Sequence, residues 1–451
     1  MSNMDTPICD FINEYAESGT LRLHMPGHKG CGALGFEALD ITEIDGADSL
    51  YEADGIIKES EKNASALFGC NTFYSAEGCS QCIRAMLYLT VLYAKANGKK
   101  PIIAAYRNVH KSFLSAAALL DLEIEWLYGN GTESYLACKT DAAALDDFLQ
   151  KADPKPTAVY ITTPDYLGNM SDVSLLSKVC HSHDVLLIAD NAHGAYLRFL
   201  NPSRHPSDLG ADICCDSGHK TLPILTGGAY LHISDSAPKI FREQAKDALM
   251  MFGSTSPSYL ILASLDAANK YLADGYPQRL SELIKKTDAL KARLAQNGFC
   301  LTGDEPLKIT LLTKSYGYTG TELAQLLRGQ GIECEFADPD FLVLMLTPET
   351  GEAGIERLES ALLSLPRREE LTQKPPAVCK CERVMSVREA AMSPFEELPV
   401  EKSVGRVLAS ASVGCPPAVP IVICGERIDE NAISALQYYG RKTCNVVRKN
   451  T

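Results

Sequence analysis

The chain has 451 residues, 46% of them apolar and 22% charged, so it is an ordinary globular sequence long enough for roughly two or three domains. A net charge of −14 argues against a general nucleic-acid binder and against docking on an anionic membrane. No apolar run reaches membrane-spanning length, and the first residues lack a basic-then-apolar leader; a cytoplasmic protein is expected.

Residues 1–58 show little periodicity and carry Leu23-His24-Met25-Pro26-Gly27-His28-Lys29-Gly30. Tyr74 to Gln81 reads as a turn before a helix-like stretch from Cys82 to Ala94. Strand-like runs then alternate with helical stretches. The runs are 101–105, 124–127, 158–161, 185–189, 211–215 and 229–233; the helical stretches are 115–122, 142–151 and 174–183. Such alternation predicts an α/β domain with a mostly parallel sheet over residues 59–275. Leu280, Leu283, Ile284, Leu290 and Leu294 recur at helical spacing before Gly298. Strand-helix pairs at 309–312 with 321–328, and at 341–346 with 355–365, predict a small α/β domain over 276–366. A Pro-rich polar linker, 367–376, precedes a C-terminal module, 377–451, centred on Cys415 to Glu426.

The sixteen cysteines sit mainly among apolar neighbours, as small reduced hydrophobes do in an intracellular chain. Cys79-Ser80-Gln81-Cys82 and Cys379-Lys380-Cys381 have no second Cys or His pair at zinc-like spacing, so no metal is expected.

Two segments carry chemistry. Asp190-Asn191-Ala192-His193-Gly194 and Ser217-Gly218-His219-Lys220-Thr221 each follow a strand-like run, and ligands gather beyond the carboxyl ends of such strands. A lysine and a carboxylate so placed suit pyridoxal phosphate: Lys220 anchors it as a Schiff base and Asp190 keeps its pyridine nitrogen protonated. His193 would orient that carboxylate or reach the phenolic oxygen. Ser217, His219 and Thr226 are candidate phosphate ligands. The Gly78-Cys79-Ser80 turn would cradle a phosphate at a helix N-terminus. His110, in Arg107-Asn108-Val109-His110-Lys111-Ser112, could stack on the pyridine ring. The hydroxyl-rich turn Ser254-Thr255-Ser256 suits an anion.

These segments, in this order, resemble the Orn/Lys/Arg decarboxylases of the aspartate-aminotransferase-like fold (type I pyridoxal phosphate enzymes). Further matching stretches are His24 to Gly30, Asp40 to Glu43, Ser254 to Tyr259 and the Pro-Pro module ending in Gly425-Glu426. The resemblance covers nearly the whole chain and is that of a short form without a receiver-like N-terminal domain. It implies a pyridoxal phosphate-dependent α-decarboxylase of arginine, lysine or ornithine, feeding polyamine biosynthesis. It also implies a homodimer or an assembly of dimers, with Ser254-Thr255-Ser256 given across the interface and residues 1–58 contributing to site and dimer. Two departures stand out: Cys79, where many relatives carry a hydroxyl, and Gly227-Gly228 after Thr226, where many carry a glutamine.

An acidic residue should meet the substrate's distal cation, and Glu426, Glu335 and Asp338 are candidates. An aminotransferase or aldolase would use the same electron sink, so carbon dioxide against keto-acid release separates those readings. A non-catalytic relative would lack any cofactor spectrum.

Overall fold

The computed structural model describes residues 4–129, 134–410 and 417–449. In chain order the longer elements begin with α1 (Pro7–Glu17), α2 (Ile56–Phe68), β1 (Asn71–Ser75), α3 (Gly78–Ala96), β2 (Ile102–Tyr106), α4 (Lys111–Leu120), β3 (Glu123–Leu127), α5 (Ala142–Lys151) and β4 (Ala158–Thr162). They continue with α6 (Val173–Ser182), β5 (Leu186–Asp190), β6 (Ile213–Asp216), α7 (Gly218–Thr221), β7 (Ala229–Ile233), α8 (Lys239–Glu243), α9 (Ala245–Met250), α10 (Tyr259–Ala273) and α11 (Tyr276–Gln296). The remainder are β8 (Cys300–Thr302), β9 (Lys308–Leu312), α12 (Gly320–Gly329), β10 (Phe336–Ala337), β11 (Phe341–Met345), α13 (Gly351–Leu363), α14 (Val387–Ala391), β12 (Phe395–Pro399), α15 (Glu430–Tyr438) and β13 (Thr443–Val447).

Seven strands form one sheet in the order β1-β7-β6-β5-β4-β2-β3, with β7 antiparallel to both β1 and β6. The β2–β3 and β5–β6 pairings are parallel. The expected mostly parallel α/β sheet is present. β5 and β7 are buried along their whole lengths, as their near-continuous apolar sequences require of strands covered on both faces.

Two compact units can be distinguished. The first comprises Met1–Pro101, Thr157–Val159 and Val173–Leu280, and the second Ile102–Pro156, Tyr160–Asp172 and Ser281–Thr451.

In the first unit, residues 7–17 form a helix that weak periodicity did not predict. Only Ile8 and Ile12, one turn apart, are buried, so its apolar stripe is narrow. Its N-cap Thr6 makes no side-chain cap bond. The Asp266 carboxylate of α10 instead accepts the Ile8 and Cys9 amides, each at 3.0 Å. A cap supplied from 250-odd residues away leaves no local signature. Helix α3 starts at Gly78 rather than Cys82, so Gly78, Cys79 and Ser80 form its first turn.

In the second unit, β10-β11-β9-β8 form a four-stranded sheet joined by antiparallel pairs. Helix α12 packs on β11 and begins with a capping box, Thr319 with Glu322. The C-terminal module contains the β12–β13 ladder and α15 around Val400, Ile421, Ile428, Ala432 and Val446. Of the proline-rich segment predicted at its centre, Cys415 and Pro416 lie outside the described residues. Pro417 to Ile423 are buried, and the Arg107 guanidinium donates to the Pro420 and Ile421 carbonyls at 3.0 Å each.

Candidate active site

The site follows from strand register in the first unit. Asp190 is the last residue of β5 and stands opposite Cys215 of β6 in the parallel ladder, so their side chains share a face of the sheet. Asp190 is only 2% exposed, and its Oδ1 accepts the Ala192 amide at 3.2 Å. One residue further along β6 the pleat turns Asp216 to the opposite face. The chain then breaks into the single turn α7, which carries Lys220. Lys220 Nζ lies 3.1 Å from His193 Nε2, so the two segments that the sequence singled out meet directly. His219 is committed by its Nδ1, which donates to the Gly228 carbonyl at 3.0 Å. Ser217 is buried at the N-cap of α7 and makes no cap bond there. Thr221 keeps a buried hydroxyl without a hydrogen-bond partner.

The Gly78-Cys79-Ser80 turn is also built within this unit. The Gly78 amide donates to the Gly227 carbonyl at 2.7 Å, tying the head of α3 to the turn after Thr226. Gly78 has φ +72°, and a Cβ there would meet nothing within 4 Å. Gly78 therefore leaves open space at the head of the nineteen-residue α3, where the positive end of the helix lies. Glu77 accepts the Ser254 amide, which brings the Ser254-Thr255-Ser256 turn beside that helix start. Thr226, Ser254 and Thr255 are exposed.

A second buried network lies on the opposite sheet face. Asp216 Oδ2 accepts from His205 Nε2 at 2.9 Å and His232 Nε2 at 3.0 Å, and its Oδ1 accepts from the Asn191 amide side chain at 2.6 Å. All three ionisable side chains are fully buried. Burial by itself would lower the His232 pKa, but the Asp216 carboxylate outweighs it and raises the imidazole to about 10. Burial likewise opposes ionisation of Asp216, yet the two imidazoles hold it well below the usual carboxylate range. This network was missed in the sequence. Period two in β6 and β7 places Asp216 and His232 on one face, but His205 arrives from a loop with no pattern of its own.

The remaining candidates belong to the second unit. His110 caps α4, its Nδ1 accepting from the Ser112 amide at 3.2 Å. Glu426 is 2% exposed; it accepts the Ile423 amide at 2.8 Å and sits 3.6 Å from Arg107. Glu335 accepts the Tyr166 hydroxyl at 2.7 Å.

Asp338 Oδ1 accepts the Asp340 and Phe341 amides at 2.7 Å each, while its buried Oδ2 has no partner. Burial pushes its pKa up to about 7; those two amides pull it down and the Asp340 charge adds to the rise. A raised carboxyl contributes stability at low pH that is lost as pH climbs from 3.8 through about 7. Asp338→Asn keeps the turn-capping oxygen and removes that loss. The variant should gain about 1–3 kcal/mol over the parent at pH 8 and little at pH 4 in urea unfolding. An equal gain at both pH values would refute the ionisation assigned here.

With this geometry in place, comparison with known proteins is decisive. The model of the Orn/Lys/Arg decarboxylase major domain matches residues 6–305, and that of the C-terminal domain matches 369–444. The chain belongs to the Orn/Lys/Arg decarboxylase family. An arginine decarboxylase of Bacillus subtilis is 30% identical, covering 96% of this chain and 93% of that protein. One from Halalkalibacterium halodurans is 29% identical over 97% and 94% of the two chains. The crystal structure of the Francisella novicida lysine decarboxylase superposes with a TM-score of 0.81 at 17% identity, covering 99% of this chain and 82% of that one. That likeness extends the fold to nearly the full chain. Among the described residues, no helix is long and apolar enough to cross a membrane.

Proposed function

We propose that this decarboxylase removes the α-carboxylate of arginine, lysine or ornithine with pyridoxal phosphate, giving carbon dioxide and a polyamine or its precursor. The observation that carries the reading is the meeting of Lys220 with His193 on the turn after β6, beside buried Asp190 at the end of β5. The chain's residues fit the cofactor. A buried carboxylate stands ready for a protonated ring nitrogen, and the start of α3 faces open space at Gly78, where a phosphate needs room.

When bound, pyridoxal phosphate supplies a protonated ring that withdraws the electrons left at Cα as the carboxylate departs. Asp190 holds the proton on the ring nitrogen, its buried charge strengthened by low dielectric. Lys220 would hold the cofactor through its amine and would supply the proton returned to Cα. His193, in contact with Lys220 Nζ, would position that amine. Ser217, His219, Thr226 and the Gly78-Cys79-Ser80 turn are assigned to the phosphate side, and His110 to stacking on the ring. Glu426, Glu335 and Asp338 remain the proposed partners of the substrate's distal cation.

A cytoplasmic homodimer with shared sites belongs to the same reading, with residues 1–58 serving the dimer and 59–275, 276–366 and 377–451 as its large, small and C-terminal parts. It is supported by exposed Leu21, Leu23 and Met25 near the N-terminus, an apolar stretch that a partner would cover. The exposed turn holding Ser254 and Thr255 points the same way.

Incubating the cofactor-loaded protein separately with ornithine, lysine and arginine should give carbon dioxide and the matching amine from one of them. Keto-acid formation without carbon dioxide would overturn decarboxylation.

A further inference from the structure

Two cysteines flank the carboxylate on which the proposed chemistry depends. Helix α3 packs against β6 and β7, which brings Cys79 of its first turn onto the sheet face shared by Asp190 and Cys215. One ligand atom from each of Cys79, Asp190 and Cys215 lies within 4.8 Å of the other two. The Cys215 thiol donates to Asp190 Oδ1 at 3.9 Å. All three are buried, with exposures of 6%, 2% and 0% in chain order. Their elements are fixed by strand pairing and helix packing, so the donor set is held in place without a metal.

We propose that Cys79, Asp190 and Cys215 form a binding site for a thiophilic divalent cation of the zinc class, one that excludes the cofactor. Zinc with bonds of about 2.3 Å to sulfur and about 2.0 Å to oxygen places tetrahedral ligand atoms roughly 3.3–3.8 Å apart, so these donors need move by no more than about 1 Å. Two thiolates and one carboxylate suit a borderline-soft ion, and a water fills the fourth position. Two S–H bonds break and two metal–sulfur bonds form; both protons leave to solvent and the ion stays divalent. The three protein ligands and the cation together carry one negative charge. The neighbouring donor cluster of His205, Asp216 and His232 differs in kind. Its imidazole N–H groups already point at the Asp216 carboxylate, so it is a satisfied hydrogen-bond network.

A dication on Asp190 draws off the carboxylate charge that would hold a ring proton and sets a positive centre beside it, so metal and pyridoxal phosphate compete. This exclusion rests on the functional reading above, whereas the cation site itself does not. Cys79 and Cys215 would thus make this chain sensitive to thiophilic ions.

The test uses cadmium as an optical probe on the full chain with exposed Cys31 and Cys300 replaced by serine. Cofactor-free protein should show a thiolate-to-cadmium charge-transfer band saturating at one equivalent. Cys79→Ser or Cys215→Ser should lose at least half of that band, and Cys82→Ala should keep it. Zinc should displace the cadmium, and prior loading with pyridoxal phosphate should suppress the band. A band unchanged in both serine variants would overturn the site, and a full band coexisting with bound cofactor would overturn the exclusion. Metal-free protein that never acquires a cofactor spectrum would count against the functional reading, whatever the cadmium titration gives.

Discussion

Lys220→Ala should abolish the visible-edge absorbance of the cofactor-loaded protein and reduce turnover by more than about 10⁴-fold. The lysine is assigned both the covalent anchorage and the return of a proton to Cα, and no neighbour duplicates both. His193 lies 3.1 Å from its amine but has no means of anchoring a cofactor. Absorbance spectra and amine formation measured on the same preparation check the two roles together. Steady-state decarboxylation surviving at a tenth of the parental rate would remove Lys220 from the mechanism.

Asp216→Ala should destabilise the protein by about 3–5 kcal/mol, because it leaves the His232 charge buried without its counterion. Two imidazole N–H groups and the Asn191 amide lose their acceptor in the same step. The pH dependence carries a sign that a simple cavity would not. His232 is raised from 6.5 to about 10 in the folded protein, so its contribution is complete below 6.5 and fades as pH rises toward 10. Asp216 is depressed from 3.8, so its contribution is complete above that value and fades as pH falls below it. The stability gap between parent and variant should be widest from about pH 4 to 6.5 and should narrow by pH 9.5 in urea unfolding. A gap constant from pH 5.5 to 9.5 would exclude the charged imidazole.

The network has a functional neighbour. Asn191, whose side chain donates to Asp216, follows Asp190 directly, and Ser217 follows Asp216. Loss of the network would therefore loosen both strand ends that carry the site.

Much of this was legible without coordinates where local pattern and tertiary role coincide. The run at 185–189 is apolar throughout, and that at 229–233 is apolar except for His232, because their strands are covered on both faces; they became β5 and β7 with shifts of no more than one residue. Helix 142–151 appeared at its predicted bounds, where Asp141 caps it by accepting the Ala143 and Ala144 amides. Helix α1 was not legible, because Asp266 caps it from far along the chain and its buried stripe is two isoleucines wide. The short β12 and β13 were missed as well. Their pairing joins Phe395–Pro399 to Thr443–Val447, and each alone has too little alternation to stand out.

The site divides along the same line. The sequence by itself determined that Asp190 and Lys220 end strand-like runs, that a helix starts near Gly78, and that these segments stand in the order of the decarboxylase family. Covalent order and hydrophobic period are local quantities, and they suffice for that much. Only the tertiary structure decided that His193 touches Lys220, that Cys79 and Cys215 flank Asp190, and that Asp216 binds two histidines behind the sheet. Those meetings depend on which strands pair, in what register, and on the packing of α3 across them. These are long-range choices settled by burial of the whole sheet, and no single segment records them.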